Sequence, residues 1–452
     1  MTDAGAPNDP LRILCVGDLH IGREPALRED VLEAAGLKPR ALSVVPAWEE
    51  AQRVAIEERV AAVLLAGDVV DSDDGFLAAY GPLSQGVRRL VDAKIPVLAV
   101  SGNHDTRVLP RLAQEIPELR FLGRDGRWES ELIERDGRPA LRVLGWSFPS
   151  KIVRNDPLDS LTAAQRDGRF EDGLDLPTVG LVHGDLDVSG SQYAPLSRAN
   201  LENTKTIGWL LGHQHKPGDL GGERPIGYLG CVSGNDFGES GPRGPWIGTL
   251  EGGRLWLEQR PLAPLRLEEV EVDLSGVVDP EGLEQVLTRS IAGLDAQREA
   301  SACQARVVMV RPRLVGRSSL GIKERTRVLE NARERAESIF ESRAGTDYFL
   351  DRKHVDRVKP QIDLAALGKG SDPPAVLAQL ILGLEEDFED VRPLVQRTHR
   401  AMVEEAEHKN FSRLDAAAVD REAARVRLVA AGYHALEELL GQRADSAQEA
   451  SA

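Results

Sequence analysis

Five apolar runs, each followed at once by a polar motif, organise the first half of the chain. Each run has about five to seven residues, as expected of a buried parallel strand that turns at its carboxyl end. Amphipathic segments that begin at Trp48 and Gly81 precede the second and third runs and have helical spacing. This alternation predicts an α/β fold over residues 11–255. The runs are LRILCVG, AAVLLAG, PVLAVSG, TVGLV and IGWLLG.

The polar motifs consist of Asp, Asn and His, and contain no Cys. Because ligands bind where the strands of an open α/β sheet end, we expect these side chains to converge. Carboxylate, amide and imidazole donors gathered there are typical of a site for two divalent metals. One such Asp alone is often a helix cap, but polar motifs of Asp, Asn or His after all five apolar runs favour the metal site. The residues are Asp18, His20, Asp68, Asp71, Asn103, His104, Asp105, His183, His213 and His215.

A two-metal site needs one bridging carboxylate and a few oxygen or imidazole ligands for each ion. Asp68, in the central motif, is the natural bridge. Asp18, His20 and one histidine of the last motif can hold the first ion. Asn103, His183 and the other late histidine can hold the second. Such a pair neutralises phosphoryl oxygens and lowers the pKa of a bridging water, which generates the hydroxide that attacks a phosphodiester.

These motifs, in this order, resemble the signature of the calcineurin-like metallophosphoesterases over residues 11–250 or so. The resemblance implies a metallophosphoesterase β-sandwich flanked by helices, an α/β fold. GDLHIGR, GNHDT, GHQHKP and ESGPRG further resemble the SbcD/YhaO-type DNA repair exonucleases, relatives of the nuclease subunit that processes double-strand breaks. Two features depart from the pattern: the long segment 22–47, interpreted as a surface excursion, and Leu229-Gly230-Cys231, where many relatives have Pro-Gly-Ser.

The resemblance also implies roles for individual residues. His104 would contact the scissile phosphate and protonate the leaving oxygen. Asp105 would orient His104 or its loop, and Asp71 would support the bridge. The cofactors implied are two divalent metal ions, with Mn²⁺ expected. One ion would be held by Asp18, His20, Asp68 and His215, and the other by Asp68, Asn103, His183 and His213.

Three regions are expected along the chain. Residues 11–255 form the metallophosphoesterase domain, and 256–345 form a strand–helix–strand unit that resembles the family's DNA-binding capping domain. Residues 346–452 form a linker and an acidic helical tail with two apolar stripes, at Leu377–Phe388 and Val429–Leu440. The stripes can pack on each other or on a partner. The resemblance implies an SMC/ABC-type coiled-coil ATPase partner, SbcC-like or YhaN-like.

Charge and composition limit which partners and which cellular compartment are expected. The net charge of −17 ordinarily argues against nucleic acid, but residues 305–327 contain seven Lys/Arg and one acid. Arg311, Arg313 and Arg317 are therefore candidates for DNA phosphate contacts, with a solvated basic face as the alternative. Three Cys at unrelated spacings, with no signal peptide or apolar span, predict a cytoplasmic protein without membrane contact. A homodimer is compatible with the sequence.

The function that these observations favour is a two-metal-dependent DNA exonuclease and endonuclease in DNA repair. One alternative is a phosphodiesterase for small or cyclic nucleotides, since the chemistry of the site would be the same. The Arg-rich second unit argues against that alternative, because a small substrate has little need of it. Another alternative is a non-catalytic scaffold of a DNA-bound ATPase complex, which need not retain every chemical position.

Overall fold

The computed structural model describes residues 10–25, 27, 29–166, 170, 174–301, 303–334, 345–406 and 420–449. The strands are β1 (Leu11–Val16), β2 (Val63–Ala66), β3 (Val97–Val100), β4 (Leu119–Phe121), β5 (Glu129–Arg135), β6 (Arg138–Trp146), β7 (Thr178–His183), β8 (Gly208–Gly212), β9 (Ile226–Tyr228), β10 (Trp246–Glu251), β11 (Arg254–Gln259), β12 (Leu265–Asp273), β13 (Val307–Val315), β14 (Arg317–Ser318), β15 (Asp347–Leu350), β16 (Val355–Asp356) and β17 (Lys359–Pro360). The α-helices are α1 (Glu29–Ala34), α2 (Val44–Glu57), α3 (Phe76–Asp92), α4 (Val108–Glu115), α5 (Pro157–Arg166), α6 (Arg198–Glu202), α7 (Pro280–Ala300), α8 (Ile322–Glu334), α9 (Leu364–Leu367), α10 (Pro373–Glu385), α11 (Arg392–Ala406) and α12 (Arg421–Glu449).

The chain divides into two compact units, each of which is assembled from several segments. The first unit comprises Met1–Glu269, Leu294–Val310 and Ala336–Phe349. The second comprises Val270–Gly293, Arg311–Arg335 and Leu350–Ala452. None of the helices in the described ranges is long and apolar enough to cross a membrane.

Two large sheets form the sandwich of the first unit. One has the strand order β11-β10-β1-β2-β3-β4, and the other has the order β5-β6-β7-β8-β9. Strands β1 to β4 are parallel to one another, as are β6 to β9, so their carboxyl ends share an edge in each sheet. Strands β10 and β5 add antiparallel neighbours. Each sheet is therefore mixed, with its parallel strands ending side by side.

Alternation along the strands builds the core on both faces of each sheet. In β1, Ile13 and Cys15 face the second sheet, whereas Leu14 and Val16 face the helices, because successive side chains point to opposite faces. Helices α2 to α4 cover the outside of the first sheet, and α5 and α6 cover the second. The predicted α/β fold, a β-sandwich flanked by helices, is confirmed.

The segment 22–47 is more than a surface excursion. It contains α1 and a 3-10 helix, Pro39–Leu42. Val31, Leu32 and Leu42 are buried in a cluster with Leu265 and Met309 of the β12-β13-β15 sheet. Its polar and proline-rich composition conceals these apolar positions, because they are few and separated. The insertion therefore contributes to the core of the first unit.

The helical tail packs largely on itself. Ile381 of α10 is buried against Tyr433 and Leu436 of α12, so the two predicted apolar stripes cover each other. The segment 363–374, predicted as a linker, instead contains the short helix α9 and the Asp372 cap of α10. Among the described residues of this region, four large apolar side chains remain exposed: Val376, Leu380, Phe388 and Val426.

Candidate metal centre

The structure gathers all seven predicted metal ligands at one end of the sandwich. In one sheet, Asp18 and His20 follow the end of β1, Asp68 follows β2, and Asn103 follows β3. Strands β7 and β8 of the other sheet lead to His183 and to the last motif. Both sheets thus present the carboxyl ends of their parallel strands to one site. The seven residues are Asp18, His20, Asp68, Asn103, His183, His213 and His215.

Glycines that precede the motifs allow these strand ends to approach closely. A Cβ atom on Gly102 would lie 2.2 Å from Oδ1 of Asp68 and 2.7 Å from Cε1 of His183. A Cβ on Gly67 would lie 2.6 Å from Nδ1 of His183, and Gly67 has a φ of +87°. A larger residue at either position would displace a ligand, which explains the Gly before Asp68 and the Gly before Asn103.

The backbone is strained at four of the candidate ligands. Asp18, His20, Asp68 and His213 have φ values of 30°, 47°, 46° and 108°. A non-glycine residue in such a conformation costs of the order of 1–3 kcal/mol and persists only when its surroundings fix it. These turns direct four side chains from the strand ends into one small volume, as a functional constraint requires.

His20 and His215 form a first group of histidines. In each of them a neighbouring carboxylate determines which ring nitrogen carries the proton. Nδ1 of His20 lies 3.1 Å from Oδ1 of Asp71, and Nδ1 of His215 lies 2.5 Å from Oε1 of Glu239. Because an ionised carboxylate only accepts hydrogen bonds, each neutral ring donates from Nδ1 and keeps a lone pair on Nε2. The two Nε2 atoms face each other at 3.0 Å.

A second group of histidines is held in the same way. Nε2 of His213 lies 3.2 Å from Oδ1 of Asp185, and Nδ1 of His183 lies 3.1 Å from the carbonyl oxygen of Ala66. The lone pairs are therefore on Nδ1 of His213 and Nε2 of His183, which lie 3.3 Å apart. Oδ1 of Asn103 lies 3.1 Å from each of them.

Asp68 lies between the two groups. Its Oδ2 is 3.8 Å from Nε2 of His20 and 3.4 Å from Nε2 of His183, while Oδ1 accepts a hydrogen bond from the backbone N–H of His104. Asp18 accepts from the backbone N–H of His213. Lone pairs and carboxylate oxygens at such distances repel one another unless cations lie among them. The donor set therefore fits two divalent ions that share Asp68.

The electrostatics of Asp68 and His183 favour metal binding. Burial alone would raise the pKa of Asp68, but the neighbouring His183 and His20 lower it below its ordinary value. Burial lowers the pKa of His183. The carboxylate stays ionised and the imidazole neutral, which are the forms that bind metals.

His104 and Asp105 lie in the same motif but have different surroundings. His104 is exposed, and its Nδ1 lies 2.8 Å from the carbonyl oxygen of Asp71. Asp105 is buried and accepts hydrogen bonds from the backbone N–H groups of Val69, Val70 and Gly102. Asp105 thus joins the loop that carries Asp68 to the loop that carries His104. Its hydrogen bonds hold the backbone of these loops, not the imidazole ring of His104.

Two carboxylates of the site were missed by sequence reasoning. Asp185 follows His183 by two residues, so its proximity was a usable signal. Glu239 lies 24 residues beyond His215, in the 3-10 helix Phe237–Glu239. It begins the ESGPRG motif, so its place in a family motif was a usable signal, although no spacing connects it with His215. Burial alone would raise the pKa of Glu239, but hydrogen bonds from His215 and the Asn235 backbone lower it to about 2.

The candidate DNA-contacting arginines lie in the second unit. Arg311 forms an ion pair with Asp351 at 2.7 Å, and Arg313 forms one with Glu271 at 3.3 Å. Arg317 is exposed. Two of the three cations are thus partly neutralised by neighbouring acids, so the basic surface is weaker than the sequence count indicates. The three cysteines are free and buried, as their spacing predicts.

Comparisons with known proteins match the chain to one family model and to several relatives. Residues 11–236, half of the chain, match the family model for calcineurin-like phosphoesterases. The chain is 25% identical over 261 residues to the metallophosphoesterase YhaO of Bacillus subtilis, covering 56% of this chain and 61% of YhaO. It is 28% identical over 303 residues to the DNA double-strand break repair protein Mre11 of Aeropyrum pernix, covering 64% of this chain and 70% of that protein. A solved dimetal phosphatase from Danio rerio aligns with 56% of this chain and 97% of its own at 13% identity and a TM-score of 0.39.

Proposed function

The chain belongs to the calcineurin-like phosphoesterase family, and on that premise we propose that it is a two-metal-dependent DNA exonuclease and endonuclease in DNA repair. One observation carries the proposal. Four histidines are fixed by outer hydrogen bonds so that each directs a lone pair inward, around a shared carboxylate. A degenerate scaffold would have no need to keep this arrangement complete.

We assign the candidate ligands to two ions that share Asp68. Asp18, His20 and His215 would hold the first, and Asn103, His183 and His213 the second. When bound, the ions would neutralise phosphoryl oxygens and make water a stronger nucleophile near neutral pH. We propose Mn²⁺ for both, although a nitrogen and oxygen donor set also suits Fe and Zn.

His104 is the group that handles the leaving oxygen in this proposal. Its Nδ1 is engaged by the carbonyl oxygen of Asp71, which leaves Nε2 as the nitrogen available to substrate. In its cationic form the ring contacts the scissile phosphate and passes the Nε2 proton to the departing oxygen. Its exposure keeps it accessible, and Asp105 holds its loop in place through the backbone.

Two features support DNA as the substrate. One relative is a DNA double-strand break repair protein by name. Near His104, the cations Arg107 and Lys151 both lie beside Asp73, and the Arg107 side chain is 81% exposed. Exposed cations beside the site would attract the phosphates that flank a scissile bond.

The helical tail is the proposed docking region for an SMC-type coiled-coil ATPase. Helices α10 and α12 already cover each other's apolar stripe, so the docking surface would be the side chains that remain exposed. Val376, Leu380 and Phe388 supply such apolar surface. An amphipathic helix pair with an exposed apolar face is a common partner for a helical groove.

A comparison of substrates and variants tests the proposal. Wild-type protein with Mn²⁺ is expected to cleave linear DNA faster than a small bis-phosphodiester. His104→Ala should lose about 10²–10⁴-fold of the cleavage rate while still binding two ions. His434→Ala, an exposed histidine in the second unit, is the matched control and should change neither quantity.

Three outcomes would contradict parts of this proposal. Faster turnover of the small diester would favour a small-molecule phosphodiesterase. Two bound ions with no cleavage of either substrate would favour a scaffold. Loss of one equivalent of metal in His104→Ala would show that His104 is a ligand.

A further inference from the structure

Two buried carboxylates that are not among the seven candidate metal ligands each contact one of the candidate histidine ligands. We propose that Glu239 and Asp185 are positioning residues, and that each tunes one ion: Glu239 the ion held by His215, and Asp185 the ion held by His213. The inference rests on the proposed two-metal site and goes beyond it, because it divides control of the two ions between two parts of the chain.

Glu239 is held more firmly than a surface carboxylate. Its side chain is 7% exposed and accepts from three donors. Nδ1 of His215 lies at 2.5 Å from Oε1, Nη1 of Arg23 at 3.2 Å from Oε1, and the backbone N of Asn235 at 2.6 Å from Oε2. With both oxygens engaged, the carboxylate keeps one orientation and fixes the plane of the His215 ring.

The backbone around Glu239 is also anchored. The side chain of Asp236 caps the 3-10 helix by accepting from the backbone N of Gly238 at 2.8 Å. Phe237 packs against the apolar cluster that contains Leu265 and Leu267 of β12 and Leu42 of the 22–47 segment. The clamp on His215 is therefore supported by the inserted segment and the β12-β13-β15 sheet.

Asp185 contacts His213 from a different loop. Its Oδ1 lies 3.2 Å from Nε2 of His213, and its Oδ2 accepts from the hydroxyl of Ser191 at 2.5 Å. Its backbone N and O pair with Tyr193 and Leu196, which closes the loop on itself. Among the described residues, the two carboxylates share no hydrogen-bond partner, so a change at one need not be transmitted to the other.

The chemistry gives each carboxylate a measurable effect. A carboxylate that accepts the outer N–H of a metal-bound imidazole fixes its tautomer and raises its basicity toward the metal. Loss of such a partner typically lowers metal affinity about 10–100-fold. Because His215 and His213 are assigned to different ions, removal of the two carboxylates should weaken different binding events.

The test is a Mn²⁺ titration of the metal-free full chain, followed by calorimetry and by the EPR signal of free Mn²⁺. Wild type should bind two ions. Glu239→Gln and Asp185→Asn should each weaken one event about 10–100-fold and leave the other within about 3-fold. A double-mutant cycle assigns the events: Glu239→Gln should add no loss in a His215→Ala background, whereas Asp185→Asn should. Glu239→Asp, which keeps the charge, should recover part of the affinity.

Cys231→Ser is the matched control for local disturbance. Donor atoms of His215, Cys231 and Glu239 lie within 4.8 Å of one another, so a third ion on these residues is the competing explanation. If wild type bound a third Mn²⁺ ion and both Cys231→Ser and Glu239→Gln lost it, the positioning role of Glu239 would be overturned. Unchanged titrations in Glu239→Gln, or equal weakening of both ions by either variant, would also overturn it. Failure of wild type to bind two ions would instead refute the proposed metal centre, independently of the positioning role.

Discussion

Asp105→Asn offers the sharpest test of how the two central loops are held. Asp105 is fully buried and uses both oxygens: Oδ2 accepts from Val69 at 2.7 Å and Val70 at 3.3 Å, and Oδ1 accepts from Gly102 at 2.8 Å. An Asn side chain can keep its oxygen toward only one of these groups. Its NH2 must then face a backbone N–H, and at least one buried donor loses its acceptor.

The magnitude follows from this count. A buried donor left without a partner costs about 1–3 kcal/mol. Burial and the nearby Asp68 carboxylate raise the pKa of Asp105, so neutralising the side chain recovers part of that cost. The loss should be smallest when the Asn oxygen faces Val69 and Val70 and the NH2 faces Gly102. We therefore expect the free energy of unfolding to fall by about 1–2 kcal/mol, toward the lower end of that range.

Urea unfolding in the presence of chelator measures this loss without a contribution from bound metal. The matched control is Asp219→Asn, an exposed carboxylate that accepts from the backbone N of Gly221 at 2.9 Å. Water can replace that bond, so its effect should stay within about 0.5 kcal/mol. If Asp105→Asn unfolds with the wild-type free energy yet loses cleavage, Asp105 acts on the chemistry directly and its role as a loop clamp is wrong.

Three further predictions concern the bridge, the pH dependence and the tail. Asp68→Asn should lose metal content and cleavage together, as chelator does; two-ion occupancy in metal analysis of this variant would refute the bridge. Burial and the nearby Arg333 lower the pKa of His354 in the folded protein. Below about pH 6.5 the unfolded state therefore binds more protons than the folded state, and the free energy of unfolding decreases as the pH is lowered. His354→Gln should reduce that slope in urea unfolding with chelator present, and an unchanged slope would contradict the shift. Deleting residues 371–452 removes no proposed ligand, so cleavage of short DNA should survive while co-purification with the ATPase is lost; a retained ATPase would place the docking surface elsewhere.

The sequence by itself predicted the strands of the two sheets and the candidate ligand set. Buried parallel strands are recognisable as local apolar runs, and their carboxyl ends must share an edge, so Asp18, Asp68 and Asn103 could be brought together without coordinates. The histidines after β7 and β8 follow the same rule for the second sheet. That two sheets would present their ends to one site came from the resemblance to a family, since apolar pattern does not say how sheets face each other.

Only the tertiary structure decided which partners surround the site. Glu239 contacts His215 from 24 residues further along the chain, beyond β9, and the choice of metal-facing nitrogen depends on that contact. The burial of Leu42 and the mutual packing of α10 and α12 were likewise open, because an apolar stripe shows that a face must be covered but not what covers it. Strand and helix patterns are local in the chain. Hydrogen bonds between distant loops are not, and they depend on a geometry that exists only after the core has formed.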